Sequence, residues 1–179
     1  MTDYKPKLIE VALPLAAINA AVAAEGSIGQ RPHPKSLHRW WARRPQAAAR
    51  AVIWASLVDD PSGDASLSAE AQQSERIRLF RLLDELVQWD GLGEPDILVK
   101  ARSEIARCCP NGVPTVVDPF GGGGAIPLEA QRLGLRSRSG DLNPVAVLIQ
   151  RAMTQIPVRF AGRPPVSGDG SRLGSWSGV

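Results

Sequence analysis

Cysteine is scarce. The 179 residues hold two, Cys108 and Cys109, side by side. Adjacent thiols offer no CxxC spacing for a metal or a redox couple, so zinc is not expected and no metal ligands are assigned. Long apolar runs are missing as well. The chain is 44% hydrophobic, enough for a core. Yet no stretch reaches the roughly 18 apolar residues of a membrane-crossing helix. The N-terminal MTDYKPKLIEVALPLAAINAAVAAEG is interrupted by Glu10, Pro14 and Asn19. It lacks the basic start and clean apolar block of a signal peptide, so the expected location is cytoplasmic, with no membrane partner.

A third absence is local. Net charge is only +3, but no acidic residue lies between Glu25 and Asp59. That gap holds Arg31, Lys35, Arg39, Arg43, Arg44 and Arg50, both histidines (His33 and His38), and Trp40, Trp41 and Trp54. Guanidinium groups pair with phosphates and indoles stack on bases, so the block suits a polyanion. A helix with core-facing tryptophans and solvated arginines accounts for the same composition.

The expected organisation begins with a helix over 8–25, with Pro14 awkward near its first turns. A Gly- and Pro-rich loop follows at 26–34. Residues 36–58 read as helical, broken at Pro45, which suits the first position of a fresh helix. The small, polar stretch 59–73 reads as a linker or variable loop. Leucines and Phe80 at three- and four-residue spacing predict an amphipathic helix over 75–89, and another helix covers 95–107.

From residue 113 the pattern changes. VPTVVD is a short β-branched run, expected as a buried parallel strand ending at Asp118. PFGGGG is a turn. AIPLEAQRLG reads as a helix with Pro127 in its first turn and Gly134 as its stop. LRSRSGD reads as a second strand ending at Asp141. Asn143 and Pro144 open a further helix as N-cap and first residue. Strand, glycine turn, helix, strand, acid, helix is the opening of a doubly wound sheet, whose ligands lie beyond the carboxyl ends of the strands.

The missing residues narrow the ligand. A phosphate-binding P-loop needs Lys and Ser or Thr after its glycines, and AIPLE supplies neither. GxGxxG and GxGxxA also fail, because the last position falls on Ile126 or Pro127. Glycines admit a ligand close to the backbone. An acid 17 residues beyond Gly124, Asp141, is placed for a ribose diol. A nucleoside without a phosphate tail fits, S-adenosylmethionine being the common one. A glycine-rich turn with no ligand is the alternative.

DPFGGGGAIPLEAQRLG resembles the first motif of amino-group DNA methyltransferases, and SGDLNPVA resembles the segment carrying their ribose-binding acid. KLIEVALPLAAINAAVAAEGSIGQRPHPKSLHRWWARRPQAAARAVIWASLVDDP is similar to the start of bacterial and archaeal adenine-specific DNA methylases. The N-terminal region of those proteins is catalogued as domain of unknown function 1156. The resemblance covers about residues 5–60 and 113–166, including QIPVRFAGRPPV. It implies an α/β fold, an incomplete Rossmann-like S-adenosylmethionine methyltransferase sheet preceded by a mostly helical N-terminal region. The implied divisions are 1–60, helical with the basic and Trp-bearing segment; 61–112, linker plus helices; 113–166, the first part of the cofactor domain; and 167–179, a disordered tail.

The same resemblance implies that Asp118, Pro119, Phe120, Gly122 and Gly124 line the methionine and ribose side of S-adenosylmethionine. Asp141 would hold the ribose hydroxyls, with Leu142 or Asn143 bordering the adenine. HPKSLHRWWARRP is similar to a segment that closes over the methionine end, so His33, Pro34, His38, Arg39, Trp41, Arg43 and Arg44 are candidates to contact cofactor or DNA. One family feature is missing. The catalytic Asp, Asn or Ser followed by Pro-Pro and an aromatic does not occur; the downstream Pro-Pro stands in GRPPV, 162–166. From Thr115 to Val179 there are 65 residues, room for about two strand-helix repeats. The expectation is an N-terminal fragment of a DNA adenine methyltransferase, inactive alone, with no catalytic residue of its own. DNA is the expected partner. The alternatives are a non-catalytic S-adenosylmethionine- or DNA-binding module, or one half of a split methyltransferase whose second polypeptide carries the rest of the domain.

Overall fold

A computed structural model describes residues 4–27, 37–88 and 96–163. The fold is mixed, mostly helical, with a two-stranded parallel sheet among the described residues. The elements are α1 (Leu8–Val11), α2 (Leu15–Ser27), α3 (Gln46–Leu57), α4 (Ala69–Gln88), α5 (Asp96–Cys108), β1 (Thr115–Asp118), α6 (Ala125–Arg132), β2 (Arg136–Ser139), α7 (Pro144–Thr154) and α8 (Ile156–Phe160). No helix among them is long and apolar enough to cross a membrane.

The expected helix over 8–25 is two helices. Ala12 is extended, at φ −161 and ψ 149. Pro14 cannot donate to a preceding turn and disfavours helical backbone at Leu13, so α2 starts afresh after it. The expected helix over 36–58 is also shorter. Residues 37–45 are not helical, and Pro45 sits just before α3 as its N-cap, not inside it as the first residue. A proline side chain cannot cap. The Glu25 carboxylate from α2 does so instead, accepting from the N–H groups of Gln46 (3.1 Å) and Ala47 (3.0 Å). A carboxylate there also complements the positive end of the α3 dipole.

The stretch read as a linker is anchored at its start, because its acid has a partner. Asp60 and Pro61 are buried, and Pro61–Gly63 forms a single 3-10 turn. Asp60 accepts from two Arg76 guanidinium nitrogens, Nε (2.9 Å) and Nη2 (2.7 Å), and from the Ser62 N–H (2.9 Å). Helix α4 starts earlier than its apolar spacing suggested, because the Ser68 hydroxyl caps it by accepting from the Ala71 N–H (3.2 Å).

Burial alone would push the Asp60 carboxyl up; the Arg76 and Ser62 bonds outweigh it and hold it down to about 2. A depressed pKa stabilises the fold above the ordinary carboxylate value. The contribution is lost as the pH falls through about 4 toward 2. Asp60→Asn is therefore expected to cost about 1–2 kcal/mol at pH 7, after discounting for the partly solvated Arg76. In urea unfolding series, its gap from the parent chain should close as the pH approaches 2.

Leu79, Leu82, Leu83 and Leu86 form the buried stripe of α4. They share one core with Ile18 and Ala21 of α2, Trp54 of α3, Leu98 and Ile105 of α5, and Ala130 of α6. The Trp54 indole is fully buried and donates to the Ala101 carbonyl (3.1 Å). This core carries the sheet on its surface. Thr115 pairs with Arg136 and Asp118 with Ser139 in a parallel register.

The strand expected to be buried on both faces is covered on one. Val116 packs against the core, while Val117 is 66% exposed and Thr115, Arg136 and Arg138 also face outward. With two strands and α6 on one side, no described layer covers the other side. The helix ends match expectation. Gly134, at φ +78, stops α6 with the paired bonds Leu135 N–H to Ala130 O and Gly134 N–H to Gln131 O, each 2.9 Å. The Asn143 side chain caps α7 by accepting from the Val145 N–H (2.9 Å), with Pro144 next.

Candidate cofactor site

The parallel ladder continues into the glycine turn. The Gly140 N–H donates to the Asp118 carbonyl (3.0 Å), and the Gly121 N–H donates to the Gly140 carbonyl (2.9 Å). This brings Gly121–Gly124 alongside Asp141, two residues past the end of β2. The Asp141 carboxylate accepts from the Gly122 N–H (2.9 Å) with one oxygen and from the Asn143 N–H (2.8 Å) with the other. Those N–H groups, Asn143 first and then Gly122, hold its carboxyl below the usual carboxylate range, so it is ionised at neutral pH. Asp118 is buried and accepts from the Phe120 N–H (3.1 Å).

The other side of the Gly122 peptide is held from α7. Gln150, itself buried, donates its amide to the Gly122 carbonyl (3.2 Å). Gly122 is thus clamped at both its N–H and its C=O. Two glycines are required by this internal packing. A Cβ on Gly121 would stand 2.2 Å from the Ser139 hydroxyl and 2.7 Å from the Gln150 amide nitrogen. Gly124, at φ +77, adopts left-handed backbone, and a Cβ there would meet Met153 and Gln150. Gly121→Ala is expected to lower stability by roughly 1–3 kcal/mol through forced displacement of Ser139 and Gln150. Gly140→Ala has nothing within 4 Å of its new methyl. It should stay within about 0.5 kcal/mol of the parent. Thermal unfolding of the two variants checks the contrast.

A cavity of about 280 Å³ opens at this turn, lined by Trp40, Ala42, Arg44, Asp118, Phe120, Gly121, Gly122, Gly123, Ala125, Ile126 and Asp141. Its size lies just under the usual range for small-molecule sites. Two carboxylates and one guanidinium stand in its wall.

Of the residues expected at a cofactor site, Asp118, Phe120, Gly122 and Asp141 come together here, and Arg44 joins them. Pro119 and Gly124 do not line the cavity; Gly124 faces α7. Leu142 is 98% exposed outside it, and Asn143 is engaged as a helix cap. His38, Arg39 and Trp41 are exposed and are not among the lining residues. Arg43 packs behind the turn, its Nε 3.0 Å from where a Gly123 Cβ would lie. Burial lowers the Arg43 pKa, opposed by the charge of Glu25. His33 and Pro34 lie outside the described residues.

Trp40 and Gln150 are the additions. Trp40, not its neighbour Trp41, walls the cavity and rests on Gly122, with Nε1 3.0 Å from the Cβ position. The basic, Trp-bearing block marked this segment, but adjacent tryptophans carry no periodicity that says which one turns inward. Gln150 sits on an apolar helix and has no sequence signature.

The cavity is therefore built from two distant parts of the chain. Trp40, Ala42 and Arg44 come from the segment before α3, and the rest from β1, the glycine turn and the end of β2. No curated protein and no solved structure matches the chain. Residues 12–82, which include the first of those two parts, match the family described as "Protein of unknown function (DUF1156)", the likeness expected from the N-terminal block.

Proposed function

We propose that this chain holds S-adenosylmethionine in the Asp141 cavity and presents its methyl group for transfer to a base amine in DNA. One observation carries the reading: an ionised carboxylate, fixed by the Gly122 and Asn143 N–H groups, faces a glycine turn at the carboxyl end of a parallel strand pair. That arrangement supports a Rossmann-like reading of β1–α6–β2–α7, with Asp141 accepting from the ribose hydroxyls. S-adenosylmethionine carries a net positive charge, and the cavity wall offers Asp118 and Asp141 against Arg44 alone.

Transfer itself needs the amine lone pair in line with the methyl carbon, which is a matter of positioning. Residues 1–179 contain no Asp, Asn or Ser followed by Pro-Pro and an aromatic. In this reading that positioning comes from residues outside them, on the same or a second polypeptide. The family likeness at 12–82 bears on kinship and carries no chemistry. Titration calorimetry with S-adenosylmethionine tests the proposal. Saturable binding near one site per chain, displaced by S-adenosylhomocysteine and not by ATP, is expected. A folded chain that releases no heat of binding would overturn it.

A further inference from the structure

Trp41 is 84% exposed, although its neighbour Trp40 is largely packed. The two indoles stack, with centroids 4.9 Å apart and planes 15° from parallel. One face of Trp41 rests on Trp40, and Trp40 in turn rests on Gly122. The stack therefore runs from the glycine turn out into solvent. Its backbone is fixed: the Arg43 N–H donates to the Trp40 carbonyl (3.3 Å), and the Arg43 guanidinium donates to the His38 carbonyl (3.3 Å).

An exposed indole offers a large flat apolar face that a partner can cover. The chemistry around it names the cover. Arg39 and Arg44 flank the pair in the chain and are both exposed, and no acid occurs between Glu25 and Asp59. A flat π-face with cations beside it suits a ligand that is itself flat and anionic at its edge. We propose that Trp41 is a stacking platform for one unpaired nucleobase of a nucleic-acid strand, with the strand's phosphates on Arg39 and Arg44. The base is then held beside the mouth of the Asp141 cavity. This extends the proposed function, while the binding step itself needs only the platform.

Fluorescence anisotropy with a labelled dodecathymidylate, alongside an abasic strand of the same length and charge, tests the idea. The parent chain should bind the base-bearing strand and quench its own tryptophan emission. Trp41→Ala should weaken that binding by roughly 5- to 150-fold, with Trp41→Phe keeping most of it. The abasic strand should bind weakly and equally to parent and Trp41→Ala. Equal affinity of the parent for both strands would reduce the segment to a phosphate contact and overturn the platform. So would an unaffected Trp41→Ala variant, no strand binding, or a dimer in sedimentation that Trp41→Ala dissolves, which would mean a second copy covers the ring. S-adenosylmethionine titrated into the parent in parallel separates the two readings. Base-dependent binding without cofactor binding keeps the platform and sinks the cofactor site; the converse does the opposite.

Discussion

Arg50→Ala is expected to remove about 3–5 kcal/mol of stability, a large share of the roughly 5–15 kcal/mol that a domain has to lose. Arg50 and Glu129 lie 79 residues apart in sequence, yet Nε of one sits 2.7 Å from Oε2 of the other, with side chains 2% and 0% exposed. The same guanidinium donates to the Leu86 carbonyl at the end of α4 (2.7 Å). The other Glu129 oxygen accepts from Arg132 (2.6 Å), which also reaches the Gln46 side chain at the start of α3 (3.2 Å). One buried ion therefore ties three helices together, and α6 begins directly after the glycine turn. Truncating Arg50 strands a carboxylate in the core with a single, partly solvated partner, and takes the Arg50 donor from the Leu86 carbonyl.

Urea unfolding followed by the buried Trp54 measures the loss. A change in midpoint at constant slope is expected. Replacing both partners at once, Arg50→Met with Glu129→Leu, should recover much of it, because neither desolvated charge then remains. If Arg50→Ala cost less than about 1 kcal/mol, water would have to reach the pair, and the helical region would not be clamped to the glycine-turn helix in this way. The single variant should also weaken ligand binding at the cavity without touching a lining residue.

This pair shows where reading the sequence stops. Elements set by neighbours were legible. The leucine stripe of α4, the Asn143–Pro144 start of α7 and the Gly134 stop of α6 each follow from residues within one turn of where they act. Elements set by distant partners were not. Arg50 reads as one more cation in a basic block, and Glu129 as one more acid on an exposed-looking helix. Asp60 reads as linker until Arg76 is seen to hold it. The start of α3 depends on Glu25, 21 residues upstream, because Pro45 cannot cap its own helix. The candidate site divides the same way. Asp118 and Asp141 follow from strand ends and spacing, and Gly122 from the likeness of DPFGGGG to the methyltransferase motif. Trp40 enters through tertiary packing, and Gln150 through a single hydrogen bond. The strand pattern misled in one respect: VPTVVD has the composition of a strand covered on both faces, and Val117 is open on one.

Asp141→Ala should lower S-adenosylmethionine affinity by roughly 10- to 100-fold, the effect of removing a charged acceptor from a bound hydroxyl pair. The carboxylate has two duties, and the experiment must separate them. It holds the Gly122 and Asn143 N–H groups, and in the proposed reading it also accepts from the ribose. Losing the first loosens the turn for any ligand. Losing the second matters only when the ligand carries ribose hydroxyls. Adenosine and 2′,3′-dideoxyadenosine, titrated into parent and variant, close the cycle. The parent should prefer adenosine, and Asp141→Ala should bind both alike. An equal fall for both ligands, with the preference intact, would leave Asp141 as a brace for the turn and move the ribose elsewhere. Acidity gives a second check. Because the backbone N–H groups hold the carboxyl below its ordinary value, the adenosine preference should stay constant from pH 8 to about pH 5. It should fade only as the pH drops below the usual carboxylate range, where protonation removes the acceptor. A preference that faded near neutral pH would point to a titrating group other than Asp141.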